Sequence, residues 1–292
     1  MDKAKYITAM LIFGTIGIFV KYIPYPSSVI ALIRGMIGVI FLLVSLVLLK
    51  QKLSLNAIRN NLLLLFLSGA AIGANWICLF EAYRFTTVSV ATLCYYMAPI
   101  FVILLSPIVL KEKITRLKML CVILALVGMG LVSGVDTGFG LRSDIKGILF
   151  GLCAAVLYCS VVLMNKFIKE IQPIASTTMQ LGCAALVVLP YTLLTQNMGE
   201  LALSWKLVFL LLFVGIVHTG LAYLLYFTSI PHLEGQIVAI YSYIDPVVAV
   251  ILSALVLHES MTPYQGLGAA FILGAAFLSD LSKGRKKVLS ET

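Results

Sequence analysis

One carboxylate stands in the middle of a long apolar run, where an ionised group is costly and usually marks a substrate or ion pathway. Asp245 is the eleventh residue of the run Gly235–Leu257 and directly precedes Pro246. The proline leaves a carbonyl one turn earlier without its usual donor, and Tyr241 and Ser242 share the carboxylate's face at helical spacing. The pattern predicts that Asp245 binds a cationic group or carries a coupling proton. A protonated carboxyl group that bonds between helices is the structural alternative.

A histidine occupies a similar position in the preceding run. His218 lies in the middle of residues 205–228, and Tyr223 and Tyr226 follow it near one side. A histidine there is able to relay protons or to donate to a substrate carboxylate. A core histidine that bonds to a tyrosine accounts for the same pattern. His218 is therefore a candidate for substrate binding and for proton coupling.

Aromatic and polar residues recur at helical spacing in the first half. Thr92, Tyr95, Tyr96 and Pro99 occupy positions i, i+3, i+4 and i+7 of one run. Such a stripe is often packing, but a related stripe beside Pro246 favours the wall of a cavity. The predicted substrate-binding residues are Asn75, Trp76, Tyr95, Tyr96, Tyr158, His218, Tyr223, Tyr241 and Asp245, with Asn165 and Gln180 as weaker candidates.

Two charged residues of opposite sign lie in apolar surroundings toward the same side of the membrane. Arg34 belongs to the second run and Glu81 to the third. An ion pair across these two helices, with a structural or gating role, is the leading interpretation. Direct contact with substrate is the alternative.

Composition requires that these runs be membrane spans. Hydrophobic residues make up 61% of the 292 residues and charged residues 11%, which is too little polar surface for a chain in water. Continuous apolar runs of span length predict helices rather than a barrel. The sequence thus predicts an all-α membrane protein with ten transmembrane helices, near residues 5–21, 28–49, 62–83, 88–110, 117–134, 147–166, 174–195, 205–228, 235–257 and 263–281.

The basic residues predict the orientation of these helices. With the N-terminus inside, 15 of the 21 Lys and Arg residues fall in cytoplasmic segments and five fall outside. The asymmetry favours a multi-pass protein of the cytoplasmic membrane with both termini in the cytoplasm. Residues 284–292 then form a basic tail at the membrane surface, not a nucleic-acid patch. The first run has no cleavage pattern after it, which indicates a retained helix.

The chain contains an internal repeat. A shift of 147 residues places Trp76, Phe80, Tyr96, Pro99, Ser106, Glu112 and Thr115 on Tyr223, Phe227, Tyr243, Pro246, Ser253, Glu259 and Thr262. The first copy covers residues 1–135 and the second covers residues 145–283. Because five helices are an odd number, the second copy enters the membrane from the opposite side. This predicts inverted repeats with a site between them. Asp245 aligns with Ala98, so its charge breaks the symmetry.

Each copy ends its fourth helix in the pattern Leu-x-Glu-x-x-Thr, at Leu110 to Thr115 and at Leu257 to Thr262. Two five-helix halves, each with aromatic residues before a mid-span proline and this ending, resemble the EamA-type branch of the drug/metabolite transporter superfamily. The resemblance covers essentially the whole chain. It implies ten helices, cytoplasmic termini and a central cavity lined by helices 1, 3, 4, 6, 8 and 9.

The resemblance and the candidate residues together predict a secondary transporter. The expected cargo is an amino acid or related metabolite, moved outward by alternating access. An organic-cation or choline-like carrier with an aromatic cage is the alternative, and a flippase for lipid-linked head groups is a weaker one. The sequence has no phosphate loop, nucleotide fingerprint or metal motif and no evident nucleophile and base, so we expect no cofactor, metal or enzymatic activity. The expected partners are a small substrate, the lipid bilayer and a coupling proton or other ion, and the oligomeric state is not predicted.

Overall fold

The computed structural model describes residues 1–50, 54–85, 91, 94–132, 145–197, 204–256 and 263–288. Across these residues the regular secondary structure is entirely helical. Six helices are long and apolar enough to cross a membrane, namely Asp2–Val20, Ser27–Leu48, Leu55–Ala82, Ile145–Asn165, Pro173–Thr195 and Trp205–His232. The prediction of an all-helical membrane protein is therefore confirmed.

The helices of the first half are α1 (Asp2–Lys21), α2 (Ser27–Leu48), α3 (Leu55–Phe85), α4 (Ala98–Val109) and α5 (Arg116–Val132). The second half contains α6 (Ile145–Asn165), α7 (Pro173–Thr195), α8 (Trp205–His232), α9 in two parts (α9a, Gly235–Ser242; α9b, Ile244–Val256) and α10 (Pro263–Val288). Each predicted apolar run overlaps one of these helices. The helix α10 continues through Lys283–Lys287, so the described part of the predicted tail belongs to that helix.

Some predicted features lie outside the described residues. They are Thr92 of the aromatic stripe, the motif from Leu257 to Thr262, and the last residues of the tail, 289–292.

Two helices are broken at the same position of the repeat. The part α9a ends at Ser242, and α9b begins at Ile244. In the first half, the chain leaves its helix at Tyr96 and begins α4 at Ala98. Pro246 and Pro99 lie in the first turns of α9b and α4, where a missing N–H costs no helical hydrogen bond. Both breaks leave a helix N-terminus in the middle of the bundle.

The helix α8 changes its hydrogen-bond pattern along its length. It is α-helical over Trp205–Phe213 and Ala222–Ser229, and π-helical over Val214–Leu221 between them. Ser204 begins it, because its side chain accepts a hydrogen bond from the Leu207 N–H at 3.3 Å. The π-helical segment contains His218, which affects where that side chain points.

The helices pack as pairs drawn from the two halves. Helix α3 packs on α6 and α7, α1 on α8 and α9b, α2 on α7 and α8, and α5 on α10. The outward faces are apolar, as shown by Val47, Ile108 and Leu194, which are 76%, 76% and 86% exposed. Such a continuous apolar exterior suits lipid rather than water.

Candidate functional site

A cavity of about 610 Å³ lies inside the bundle. It extends from the breaks in α4 and α9 toward the turn between α1 and α2, where Val20 and Ser27 line it. The remaining lining residues are Met10, Phe13, Ile16, Gly17, Ile30, Ala31, Arg34, Asn75, Trp76, Leu79, Phe80, Tyr95, Tyr96, Ala98, Pro99, Tyr158, Tyr223, Ser242 and Asp245. This volume suits a small organic molecule.

Asp245 lies at the deep end of this cavity, in the first turn of α9b. It is partly buried, and its Oδ2 accepts a hydrogen bond from the Tyr96 hydroxyl at 3.3 Å. The free amide groups at a helix N-terminus favour a negative charge. The break in α9 therefore places the carboxylate where it is able to bind a cationic group or exchange a proton.

A glycine allows α1 to approach this carboxylate closely. A Cβ on Gly14 would lie 2.7 Å from the Asp245 carbonyl oxygen and 2.6 Å from the Val248 Cβ. Both distances are shorter than non-bonded contacts allow, so only glycine fits here without a shift of the helices. Gly14 thus holds one wall of the cavity against the turn that carries Asp245.

Aromatic rings form most of the remaining wall. The Tyr223 ring lies 5.2 Å from Phe13 and 6.2 Å from Trp76, in edge-to-face arrangements. In a second group of rings, the Tyr95 ring lies 5.5 Å from Tyr96 and 5.8 Å from Tyr158. Edge-to-face pairs present both ring faces and edges, so this wall is able to receive apolar groups or a cation.

The structure brings most of the predicted binding residues together. Seven of the nine line the cavity: Asn75, Trp76, Tyr95, Tyr96, Tyr158, Tyr223 and Asp245. Contact with substrate stays a prediction for each of them. The Asn75 side-chain N–H donates to the Ala154 carbonyl at 2.6 Å, so this amide also joins α3 to α6.

The other two predicted binding residues, His218 and Tyr241, do not line the cavity. The His218 Nε2 bonds to the Thr15 hydroxyl at 2.7 Å, and the ring lies between Phe19 and Phe213. Counting at 3.6 residues per turn fails here because a π turn holds an additional residue. Tyr241 is only 2% exposed, and the break after Ser242 removes the helical register that relates it to Asp245.

The predicted ion pair between Arg34 and Glu81 is not formed in this structure. Glu81 accepts hydrogen bonds from Arg84 at 2.9 and 3.2 Å and from the Tyr191 hydroxyl. The hydrogen bonds that Arg84 donates to Glu81 also raise the pKa of the Arg84 guanidinium. The Arg34 guanidinium instead lies over the Trp76 ring, 4.7 Å from its centroid. Arg84 is three residues from Glu81 on the same helix, so its side chain reaches the carboxylate with little rearrangement.

Helix α2 is a wall of the cavity that the sequence did not indicate. Ser27, Ile30, Ala31 and Arg34 line the cavity, whereas the family resemblance implied helices 1, 3, 4, 6, 8 and 9. The signal was present in the spacing, because positions 27, 30, 31 and 34 share one helical face. The charged residue of α2, Arg34, shares this face with Ser27.

Two contacts join the α4–α5 connection and α5 to the start of α9a, at the end of the bundle away from the α1–α2 turn. The Glu112 Oε1 accepts a hydrogen bond from the Gly235 backbone N–H at 2.9 Å, which caps α9a. Lys118 forms an ion pair with Glu234, the residue before α9a. We call these four residues the end contact. It joins the two halves of the chain on the side opposite the α1–α2 turn.

A buried polar network joins α3, α6 and α7 away from the cavity. The Ser68 hydroxyl donates to the Gln180 Oε1 at 2.8 Å, and the Asn165 Nδ2 donates to the same oxygen at 3.0 Å. The Gln180 Nε2 donates in return to the Asn165 Oδ1 and to the Ser176 hydroxyl. Asn165 and Gln180, weaker candidates for substrate contact, therefore serve helix packing.

Replacement of Gln180 by leucine is expected to destabilise the protein. It removes the bonds that Ser68, Asn165 and Ser176 make with the Gln180 amide, and leaves the Asn165 Oδ1 without its donor, although the Asn165 Nδ2 still donates to Ser68 and Val161. A buried unpaired polar group costs about 1–3 kcal/mol. Thermal unfolding in detergent should show a lower midpoint for Gln180→Leu. The control is Gln196→Leu at the end of α7, where the amide donates only to the neighbouring Thr195 at 3.3 Å. Equal midpoints for both variants would show that the network contributes nothing.

The bundle of apolar helices contains a central cavity, with two helix breaks at its deep end and aromatic residues along its wall. This architecture is typical of membrane transporters. The profile of the EamA-like transporter family matches residues 5–134 and 145–279. The chain therefore belongs to the EamA-like transporter family, the EamA-type branch of the drug/metabolite transporter superfamily. The resemblance read from the sequence is thereby confirmed.

Individual relatives agree with this assignment. The chain is 28% identical to "Uncharacterized transporter YxxF" of Bacillus subtilis (strain 168) over 98% of this chain and 92% of that protein. It is 28% identical to "Protein PecM" of Dickeya dadantii (strain 3937) over 77% and 76% of the two chains. A solved structure described only as "Crystal structure of protein" superposes with a TM-score of 0.86 at 16% identity, over 97% and 98% of the two chains. That last likeness shows a shared fold.

Proposed function

We propose that the protein is a secondary transporter that carries a small metabolite, an amino acid or a related compound, across the cytoplasmic membrane. The observation that carries the proposal is the cavity, in which a carboxylate at a helix break faces an aromatic wall. A carboxylate binds an ammonium group through charge-assisted hydrogen bonds, and aromatic rings receive an apolar side chain. Asp245 binds the amine of the cargo or carries the coupling proton.

Ten crossings in two inverted repeats are part of this proposal, and the symmetry of the helix contacts supports them. A shift by one repeat turns the contact of α3 with α7 into that of α8 with α2. The same shift turns the contact of α1 with α9b into that of α6 with α4. The two broken helices also occupy equivalent repeat positions. Such repeats are typical of carriers that alternate access to a central site.

The distribution of basic residues along the chain predicts the side of the membrane toward which the cavity opens. With both termini in the cytoplasm, the end contact lies at the cytoplasmic side. The cavity then extends outward, and this structure corresponds to a carrier closed to the cytoplasm. The proposed export of the cargo rests on the family resemblance alone.

Replacement of Asp245 by asparagine tests the role of the carboxylate. We expect thermal unfolding of the wild-type protein, measured against a panel of amino acids, amines, quaternary ammonium compounds, sugars and nucleosides at two pH values, to identify the cargo class. A ligand at 100 times its dissociation constant adds about 2.7 kcal/mol of apparent stability. In Asp245→Asn the affinity should fall roughly ten- to hundredfold, because a charge-assisted bond of about 1.5–3 kcal/mol is lost.

The matched control is Asp2→Asn, whose carboxylate pairs with Lys5 at 3.1 Å outside the cavity. Counterflow in proteoliposomes, in which unlabelled substrate inside drives uptake of labelled substrate, separates a carrier from a channel. Wild-type counterflow and unchanged pH dependence in Asp245→Asn would refute the role of this residue. If the ligand-induced shift persists in Asp245→Asn but the pH dependence disappears, Asp245 is the proton site.

A second candidate function is an organic-cation carrier. The observation that favours it is the set of aromatic residues that line the same cavity as the carboxylate: Trp76, Tyr95, Tyr96, Tyr158 and Tyr223. Such rings are able to hold a quaternary ammonium group by cation–π attraction. Stabilisation by choline but by no amino acid would select this function.

A further inference from the structure

Arg34 presents a positive charge to the cavity, and no carboxylate in the described part of the chain pairs with it. It is the eighth residue of α2 and lines the cavity with Trp76. Its guanidinium forms no ion pair with a carboxylate among the residues that the structure describes. Its Nε is buried and has no hydrogen-bond partner. A guanidinium has five N–H donors, and at least the Nε donor of Arg34 is unused.

Neither of the two carboxylates discussed above neutralises Arg34. Glu81 is bound by Arg84 and Tyr191, and Asp245 forms no ion pair with Arg34 among the described residues. An unpaired charge at membrane depth is costly and is retained mainly where it serves a function. The contact with Trp76, 4.7 Å from its centroid, holds the guanidinium in place but satisfies none of its N–H groups as an ion would. The missing partner is an anion.

The cavity therefore contains one group of each sign. Asp245 supplies the negative charge and Arg34 supplies the positive charge. The N-terminus of α4, at Ala98 and Pro99, adds the positive end of a helix dipole to the same wall. A cavity that served only organic cations would be weakened by an unpaired guanidinium, because like charges repel in a medium of low dielectric constant.

We propose that Arg34 is the receptor for a carboxylate on the transported molecule, and that the substrate is a zwitterion. The planar guanidinium binds a carboxylate through two parallel hydrogen bonds. Asp245 binds the ammonium group of the same molecule. The inference rests on the proposed function, and it deepens that function because it excludes cations that lack an acidic group.

Matched ligands test the carboxylate receptor. The probes are the L-amino acids, each beside its carboxamide, which keeps the amine, and its N-acetyl derivative, which keeps the carboxylate. Thermal unfolding of the full-length protein gives the affinity for each probe. We expect at least one amino acid to bind the wild-type protein about tenfold or more tightly than its carboxamide. In Arg34→Gln this preference should vanish, and Arg34→Lys should retain part of it because only the charge remains.

Arg84→Gln is the matched control, because Arg84 is largely exposed and lies outside the cavity. It should keep the wild-type preference. Unfolding without ligand shows that each variant is folded. The carboxylate receptor is wrong if Arg34→Gln still prefers the amino acid to its carboxamide, and the proposed transport of amino acids stands in that case.

Another result would keep the anion receptor but contradict the amino acid as substrate. If N-acetyl derivatives bind in an Arg34-dependent manner and free amino acids do not, the receptor for an anion stands and the zwitterionic substrate is wrong. Binding of choline alone, with no effect of Arg34→Gln, would overturn both.

Discussion

A chain with Ser106→Cys and Gly235→Cys is expected to lose transport on oxidation and to regain it on reduction. A Cβ on Gly235 would lie 2.8 Å from the Ser106 Oγ, within reach of a disulfide whose Cβ atoms are about 3.8 Å apart. The bond would join α4 to α9a at Gly235, one of the residues of the end contact. If this end must open in each transport cycle, the counterflow rate of the oxidised protein should fall to the background of vesicles that contain no protein. Substrate binding should remain.

The design needs a background without the native thiols that face each other. Cys78 and Cys153 have sulfur atoms 3.7 Å apart, so oxidation acts on them as well. Cys78→Ala removes this second reaction, and each single cysteine variant controls for the substitutions. Mass spectrometry establishes the bond. Undiminished counterflow in fully bonded protein would mean that this end does not open during transport.

The replacement of Gly14 by alanine is expected to have the second large effect. The added methyl group would press on the Asp245 carbonyl oxygen and on Val248. Overpacking of this kind costs about 1–3 kcal/mol. Because the displaced turn carries Asp245, we expect both a lower unfolding midpoint and a lower counterflow rate.

Gly17 provides the matched substitution on the same helix. A Cβ at Gly17 would meet no atom within 4 Å. Gly17→Ala should leave the free energy of unfolding unchanged or raise it by about 0.5–1 kcal/mol, because alanine favours the helix. Similar midpoints for Gly14→Ala and Gly17→Ala would show that α1 and α9b adapt to the larger residue.

The helices could be predicted from the sequence because apolar runs of span length admit few other structures. The repeat also identified Tyr96 and Tyr243 as equivalent positions, and the structure has a helix break at each. The prolines beside them were visible, but a proline in a first turn and a proline in a kink have the same sequence signature. The loss of a backbone hydrogen bond beside Pro246 was predicted, but the restart of the helix at Ile244 was not, so helical counting placed Tyr241 on the face of Asp245.

The site residues that are charged or aromatic could mostly be predicted from their residue type. Residues whose position depends on the exact helical register were predicted less well. Asp245 and Trp76 line the cavity as the sequence suggested. The π-helical turn around His218 has no characteristic amino-acid sequence. Counting at 3.6 residues per turn therefore gave that side chain the wrong direction. Arg84, three residues away, and Arg34, on another helix, were both possible partners of Glu81. The sequence does not decide between them, and in the structure Glu81 pairs with Arg84.

The end contact has a further consequence, which concerns ionic strength. Its ion pair of Lys118 with Glu234 is partly exposed, with 9% and 38% of the two side chains accessible. In the repeat, the corresponding positions of the other copy are Gln265 and Thr87, which carry no charge. Salt screens partly exposed charges, so it weakens the ion pair of the end contact. The strength with which α9a is held to α5 at this end of the bundle therefore depends on the salt concentration on that side of the membrane.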